Sequence, residues 1–142
     1  MQDIYGDKLT TAYQKEATTF SSKLLLNKGD GHFEVSMLPA VAQSSPILSM
    51  IASDVNEDGF EDLIVVGNIY ETEVETPRYD AGNGVVLLSN QKNGYTALSS
   101  SQSGLYIEGN AKSLLKLSHK GLNKELVLIG VNDASLQVIA LK

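Results

Sequence analysis

The sequence predicts an all-β chain built from short antiparallel strands. From Thr18 onward, runs rich in Leu, Val and Ile alternate with clusters of Gly, Asn, Asp and Ser. Their spacing is roughly the 8–12 residues typical of all-β domains. Two hairpin turns and an internal repeat favour the same class.

The N-terminal segment, residues 1–17, has a different character. Tyr5, Leu9, Tyr13 and Ala17 recur at a spacing of four, which suits one face of a short helix. Gly6 weakens that pattern, so a short helix is compatible with the segment but not required by it. The β domain is expected to cover residues 18–142.

Nine strands are predicted in this domain, and they fall into groups of two, four and three. They lie near residues 18–26, 32–38, 47–53, 62–68, 84–89, 94–98, 112–118, 125–131 and 135–141. The segments 27–31 and 90–94 join strands as hairpin turns, because Gly, Asn and Asp tolerate the positive φ that tight turns need.

The two hairpin turns also indicate a repeat. Asn90 follows Asn27 by 63 residues, and ELVLIGVN from Glu125 follows DLIVVGN from Asp62 at the same offset. Two matches at one offset predict repeated units near residues 45–98 and 112–142, preceded by strands of another unit at 18–38.

An inserted loop distinguishes the first unit from the second. The stretch ETEVETPRYDAGNG, residues 71–84, has no counterpart after Asn132. Loops of this kind often carry binding residues, so Arg78, Tyr79 and Asp80 are weak ligand-binding candidates. A structural role in holding the loop against the sheet is the alternative.

Composition limits the functional classes. The net charge is −6 with a pI near 4.8, which disfavours nucleic acid as a partner. Cysteine is absent, so any metal must be held by oxygen atoms or by the two histidines. We expect no membrane insertion and find no signal-peptide pattern in the chain as given.

One loop carries recognisable metal chemistry. Asp54, Asn56, Asp58 and Asp62 stand at spacings of 2, 2 and 4, and a glycine follows the third of them. Hard oxygen donors at alternate positions can wrap Ca²⁺, and the glycine permits a turn that directs the Phe60 carbonyl inward. The loop is therefore predicted to bind one Ca²⁺ ion.

Two alternatives compete with this interpretation. An EF-hand begins with the same pattern but needs a bidentate Glu at position 12, where this chain has Val65, and it needs flanking helices where this chain predicts strands. A solvated acidic turn that binds no metal is the other alternative. His32 and His119 lack catalytic spacing and are expected to be exposed turn residues.

These features resemble the FG-GAP and VCBS repeats of integrin-α-like β-propellers. The resemblance rests on LLLNKGDGHFE (24–34), SPILSMIASDVNEDGFEDLIVVGN (45–68) and RYDAGNGVVLLSNQKNGY (78–95), and it is closest to the C-terminal blades of bacterial proteins related to cartilage acidic protein. It implies about two propeller blades plus partial strands. The ligands it implies are Asp54, Asn56, Asp58, the Phe60 carbonyl and Asp62.

The resemblance also implies a function. We expect a non-catalytic, calcium-binding module for protein or glycan interaction, extracellular or in the cell envelope. A structural blade pair that completes a larger propeller or a homo-oligomer is one alternative, and part of a polysaccharide-acting propeller enzyme is another. At the 63-residue offset, Leu117, His119, Gly121 and Glu125 replace the ligands, so the second unit is expected to bind no ion.

Overall fold

A computed structural model of the protein describes residues 2–119, 121 and 124–141, which are mostly β-structure. The helices are two single turns, α1 (Gln2–Tyr5) and α2 (Ser100–Ser103), with 3-10 turns at Gly6–Thr10 and Ala40–Gln43. None of the helices in the described part of the chain is long and apolar enough to span a membrane.

Across the described residues, nine strands form three antiparallel sheets of two, four and three strands, as predicted. They are β1 (Lys23–Gly29) and β2 (His32–Met37) in the first sheet, β3 (Ser49–Ser53), β4 (Asp62–Val66), β5 (Val85–Ser89) and β6 (Tyr95–Ala97) in the second, and β7 (Asn110–His119), β8 (Lys124–Asn132) and β9 (Gln137–Ala140) in the third. Within the described residues, the sheets do not close into a propeller.

The main core lies between the second and third sheets. Ile64 of β4 and Val127 and Ile129 of β8 are almost fully buried there. A smaller cluster covers the other face of the second sheet, where Ala42 from a 3-10 turn packs with Leu87 of β5. The central strand β4 is thus buried on both faces, which explains its continuous apolar run.

Two local expectations are corrected. Strand β1 begins at Lys23, because residues 18–22 make no ladder. The N-terminal α-helix ends at Tyr5, so the spacing-of-four pattern does not continue as a helix through Ala17. The connection between β6 and β7 contains α2, which Ser99 begins with a capping box.

The first hairpin agrees with its prediction. Gly29, Asp30 and Gly31 all have positive φ at the turn between β1 and β2. His32 lies in this hairpin, where its exposed ring pairs with the Asp30 carboxylate at 2.9 Å. The side chain of His119 lies outside the described part of the structure.

Candidate metal site and inserted loop

The loop between β3 and β4, residues 54–61, is organised by the side chains that alternate along it. Asp54 accepts hydrogen bonds from the backbone N–H groups of Asp58 at 3.0 Å and Gly59 at 2.8 Å. The Asn56 amide donates to the Asp58 carboxylate at 3.1 Å. The structure therefore brings three of the predicted ligands into one hydrogen-bonded network, which we call the loop network.

The tight path of the loop depends on two residues with left-handed backbone conformation. Gly59 has φ +88° and Glu57 has φ +57°. Glycine adopts this conformation without a steric penalty, which accounts for its position directly after Asp58. The Phe60 N–H donates to the Asp58 carboxylate at 2.9 Å, and among the described residues no hydrogen-bond donor reaches the Phe60 carbonyl.

Asp62 occupies a different position from the other predicted ligands. It is fully buried at the start of β4, and its two oxygens accept the N–H groups of Val55 at 2.9 Å and Ser89 at 2.8 Å. In the described structure no hydrogen bond joins it to the loop network. Because its two oxygens bind Val55 and Ser89, Asp62 anchors the base of the loop to β5. Burial raises the pKa of the nearby Tyr95, and the negative charges of Asp62 and Glu61 add to that shift.

The donor chemistry of the loop fits a hard cation. Carboxylate and amide oxygens carry more than one lone pair, so Asp54, Asn56 and Asp58 keep acceptor capacity beside their internal hydrogen bonds. Within residues 2–119, 121 and 124–141, no group of three His, Asp or Glu side chains is arranged to hold a metal, so carboxylates alone do not make the site. Ca²⁺ also accepts amide and backbone carbonyl oxygens, which Asn56 and Phe60 offer in this loop.

The corresponding segment of the third sheet is built differently. Leu117 and His119 belong to β7 and pair with Leu126 and Lys124, so these positions lie in a strand ladder and not in a loop. The Glu125 carboxylate accepts the Ser53 hydroxyl at 3.2 Å. Among the described residues, this hairpin assembles no counterpart of the loop network.

The inserted loop is joined to the segment that follows β4 by its own contacts. Ile69 and Tyr79 form an isolated bridge with hydrogen bonds of 2.8 and 2.9 Å, and the Arg78 guanidinium lies 5.1 Å from the centre of the Tyr70 ring. Among the described residues, no ion pair joins Arg78 to Asp80. The contacts of Arg78 and Tyr79 are therefore with the segment before the loop, and a ligand-binding role for the three residues stays a prediction.

Glu71 is the centre of a polar cluster that sequence reasoning missed. Its carboxylate accepts the side-chain amides of Asn110 and Asn132, each at 2.7 Å, and pairs with the Lys112 ammonium at 3.0 Å. The hydrogen bond from Lys112 is the main cause that lowers the Glu71 pKa to about 2. The cluster ties the inserted loop to the third sheet, and its members are too far apart in sequence for any local pattern to reveal it.

Asn68 lies two residues after the end of β4 and cross-links the same region. It is almost fully buried, and its amide donates to the carbonyls of Gly82 at 2.8 Å and Gly109 at 2.9 Å. Its side-chain oxygen accepts the Gly82 N–H at 3.0 Å. Asn68 therefore holds the inserted loop and the entrance to β7 together.

In comparisons with known proteins, no family model, no curated protein and no solved structure matches this chain.

Proposed function

We propose that the chain is a non-catalytic interaction module of the FG-GAP/VCBS propeller type, stabilised by one Ca²⁺ ion in the loop at residues 54–62. Its partners are protein or glycan at the cell surface or outside the cell, as the sequence resemblance implies. The observation that carries the calcium assignment is the loop network, which gathers Asp54, Asn56 and Asp58 between two paired strands.

The loop residues have separate roles in this proposal. Asp54, Asn56 and Asp58 supply side-chain oxygens, and Phe60 supplies its backbone carbonyl. Asp62 supplies a carboxylate that the N–H groups of Val55 and Ser89 hold in place. When bound, Ca²⁺ provides positive charge that offsets the carboxylates. Without that charge, neighbouring carboxylates repel by about 1 kcal/mol per pair at 4 Å in water, and by more where water is excluded. The expected result is a loop that is more rigid and a fold that is more stable.

Calorimetric titration of chelator-treated protein with Ca²⁺ tests the assignment. We expect a stoichiometry of one, because the β7–β8 hairpin pairs through the positions where a second loop would lie. Asp58→Ala should remove calcium binding. Glu61→Ala is the control: it removes a carboxylate from the same loop that is not a proposed ligand, so calcium binding should persist. A stoichiometry of two, or neither heat nor thermal stabilisation at millimolar Ca²⁺, would contradict the assignment.

A second candidate function is structural, as part of a larger β-assembly. The outward face of β1 and β2 exposes the apolar residues Leu25, Phe33, Val35 and Met37, each 56–60% exposed. The outward face of the third sheet exposes Leu115, Leu117 and Val138, at 46–60%. Apolar faces of this kind usually mark interaction surfaces.

Sedimentation at several concentrations separates this candidate from a monomeric module. Assembly through the third sheet would be supported if the chain associates, if Leu115→Lys abolishes the association, and if a substitution at the exposed hairpin residue His32 leaves it intact. A compact monomer at every concentration would count against it.

A further inference from the structure

A surface cleft of about 400 Å³ lies between residues 20–22 and the inserted loop. Phe20 and Tyr79 line it, together with Ser22, Ile69 and the segment 43–46. We call it the Phe20–Tyr79 cleft. Its volume lies in the range of about 300–1,000 Å³ that is typical of small-molecule sites.

Two exposed aromatic rings stand on this cleft. Phe20 is 90% exposed and Tyr79 is 50% exposed, although burial of either ring would be favourable. Among the described residues, no hydrogen bond engages the Tyr79 hydroxyl. Both rings therefore present apolar faces to solvent, and Tyr79 adds a polar group that can donate or accept.

Hydrogen bonds hold the backbone at Tyr79 and, near Phe20, at Ser22. The Gln43 side chain accepts the Ser22 N–H at 2.8 Å and donates to the Ser22 carbonyl at 3.0 Å, which fixes the chain two residues after Phe20. Tyr79 is fixed by its two-hydrogen-bond bridge with Ile69. A site whose walls are already ordered loses less entropy on binding.

The polar groups of the cleft are neutral, and two of its serine hydroxyls can act only as acceptors. The hydroxyl of Ser44 donates its proton to the Val41 carbonyl at 2.8 Å, and that of Ser45 donates to the Gly67 carbonyl at 2.7 Å. The oxygens of Ser44 and Ser45 are left with lone pairs only, so a ligand can use them only by bringing hydrogen-bond donors. None of the lining side chains is charged, although the chain carries a net charge of −6.

We propose that the Phe20–Tyr79 cleft binds a neutral sugar unit of a glycan. A pyranose offers apolar C–H faces to the two rings and several hydroxyl donors to the serine oxygens. A proline-rich peptide also suits aromatic-lined grooves, but proline has no N–H to donate to the Ser44 and Ser45 oxygens, and these two acceptors therefore favour the sugar. The inference rests on the glycan-binding part of the proposed function and does not require the calcium site.

The test is an NMR titration of the ¹⁵N-labelled full chain with cellobiose, maltose and N,N′-diacetylchitobiose. We expect at least one disaccharide to shift the backbone amides of residues 20–22, 43–45 and 79. Tyr79→Ala and Phe20→Ala should each weaken binding by about tenfold or more, and Tyr79→Phe should retain most of it. Tyr106→Ala is the matched control, since Tyr106 is an exposed tyrosine outside the cleft.

Three outcomes would overturn the proposal. They are the absence of shifts with all three sugars, an equal loss of affinity in Tyr106→Ala, and shifts at the cleft with a decaproline peptide but none with sugars. Spectra that are unchanged away from the substituted residue show that each variant is folded. Calcium stoichiometry measured on the same samples separates failure of the cleft from failure of the metal site.

Discussion

Replacement of Asp62 by alanine should destabilise the protein whether or not calcium is present. The Asp62 carboxylate satisfies the N–H groups of Val55 and Ser89, and its removal leaves both without that acceptor. An unsatisfied buried donor costs about 1–3 kcal/mol, so two donors that are only partly buried set an upper range of about 2–6 kcal/mol for the loss. That range is a large part of the roughly 5–15 kcal/mol that stabilises a typical domain.

Asp58→Ala should behave differently, because the Asp58 carboxylate is exposed and its partners Asn56 and Phe60 can turn to water. The Asp58→Ala variant should be less stable than wild type mainly when calcium is present, and should differ little from wild type in chelator. The contrast assigns Asp62 an anchoring role in addition to any role as a ligand.

Urea unfolding of both variants, each with calcium and with chelator, measures these losses. Should Asp62→Ala prove too unstable to purify, Asp62→Asn provides a milder test, since one oxygen can still accept one of the two N–H groups. If Asp62→Ala lost stability only in the presence of calcium, Asp62 would be a ligand without an anchoring role, and the reasoning from its two hydrogen bonds would be wrong.

Three further substitutions test the contacts around the inserted loop. The Glu71 pKa is lowered from its ordinary 4.5 to about 2, so its stabilising contribution is complete above pH 4.5 and lost as the pH falls toward 2. Glu71→Gln should therefore reduce stability at neutral pH and flatten the acid limb of the stability profile in that window, and an unchanged profile would refute the cluster's role. Gly67→Ala should lower the melting temperature far more than Gly94→Ala, because a Cβ at Gly67 would lie 1.9 Å from a backbone oxygen, whereas one at Gly94 meets the end of a flexible side chain. Asn68→Ala should cost about 1–3 kcal/mol in urea unfolding, and the exposed Asn132→Ala less; the reverse order would contradict the burial argument.

Strand positions could be predicted well because they depend on short-range patterns. Apolar runs and Gly/Asn/Asp turns located the nine strands of the described residues and both hairpins. The alternating oxygens of the 54–62 loop predict a calcium site, which stays a prediction, and three of those residues share the hydrogen bonds of the loop network. Contacts between distant residues were not accessible in the same way. Glu71 meets partners 39 and 61 residues away, and the bridge that positions Tyr79 depends on the fold of the whole inserted loop.

The 63-residue repeat shows where pattern reasoning reaches its limit. The offset equates Ile64 of β4 with Val127 of β8, yet both side chains face the one core between the second and third sheets. In a stack of identically oriented sheets, equivalent residues point the same way, so only one of the two would face that core. Strand β4 is apolar on both faces and lacks the alternation that would fix which side chains point to which sheet. The apolar run therefore locates the strand in the chain, while the facing of its residues is set by the sheets packed on either side.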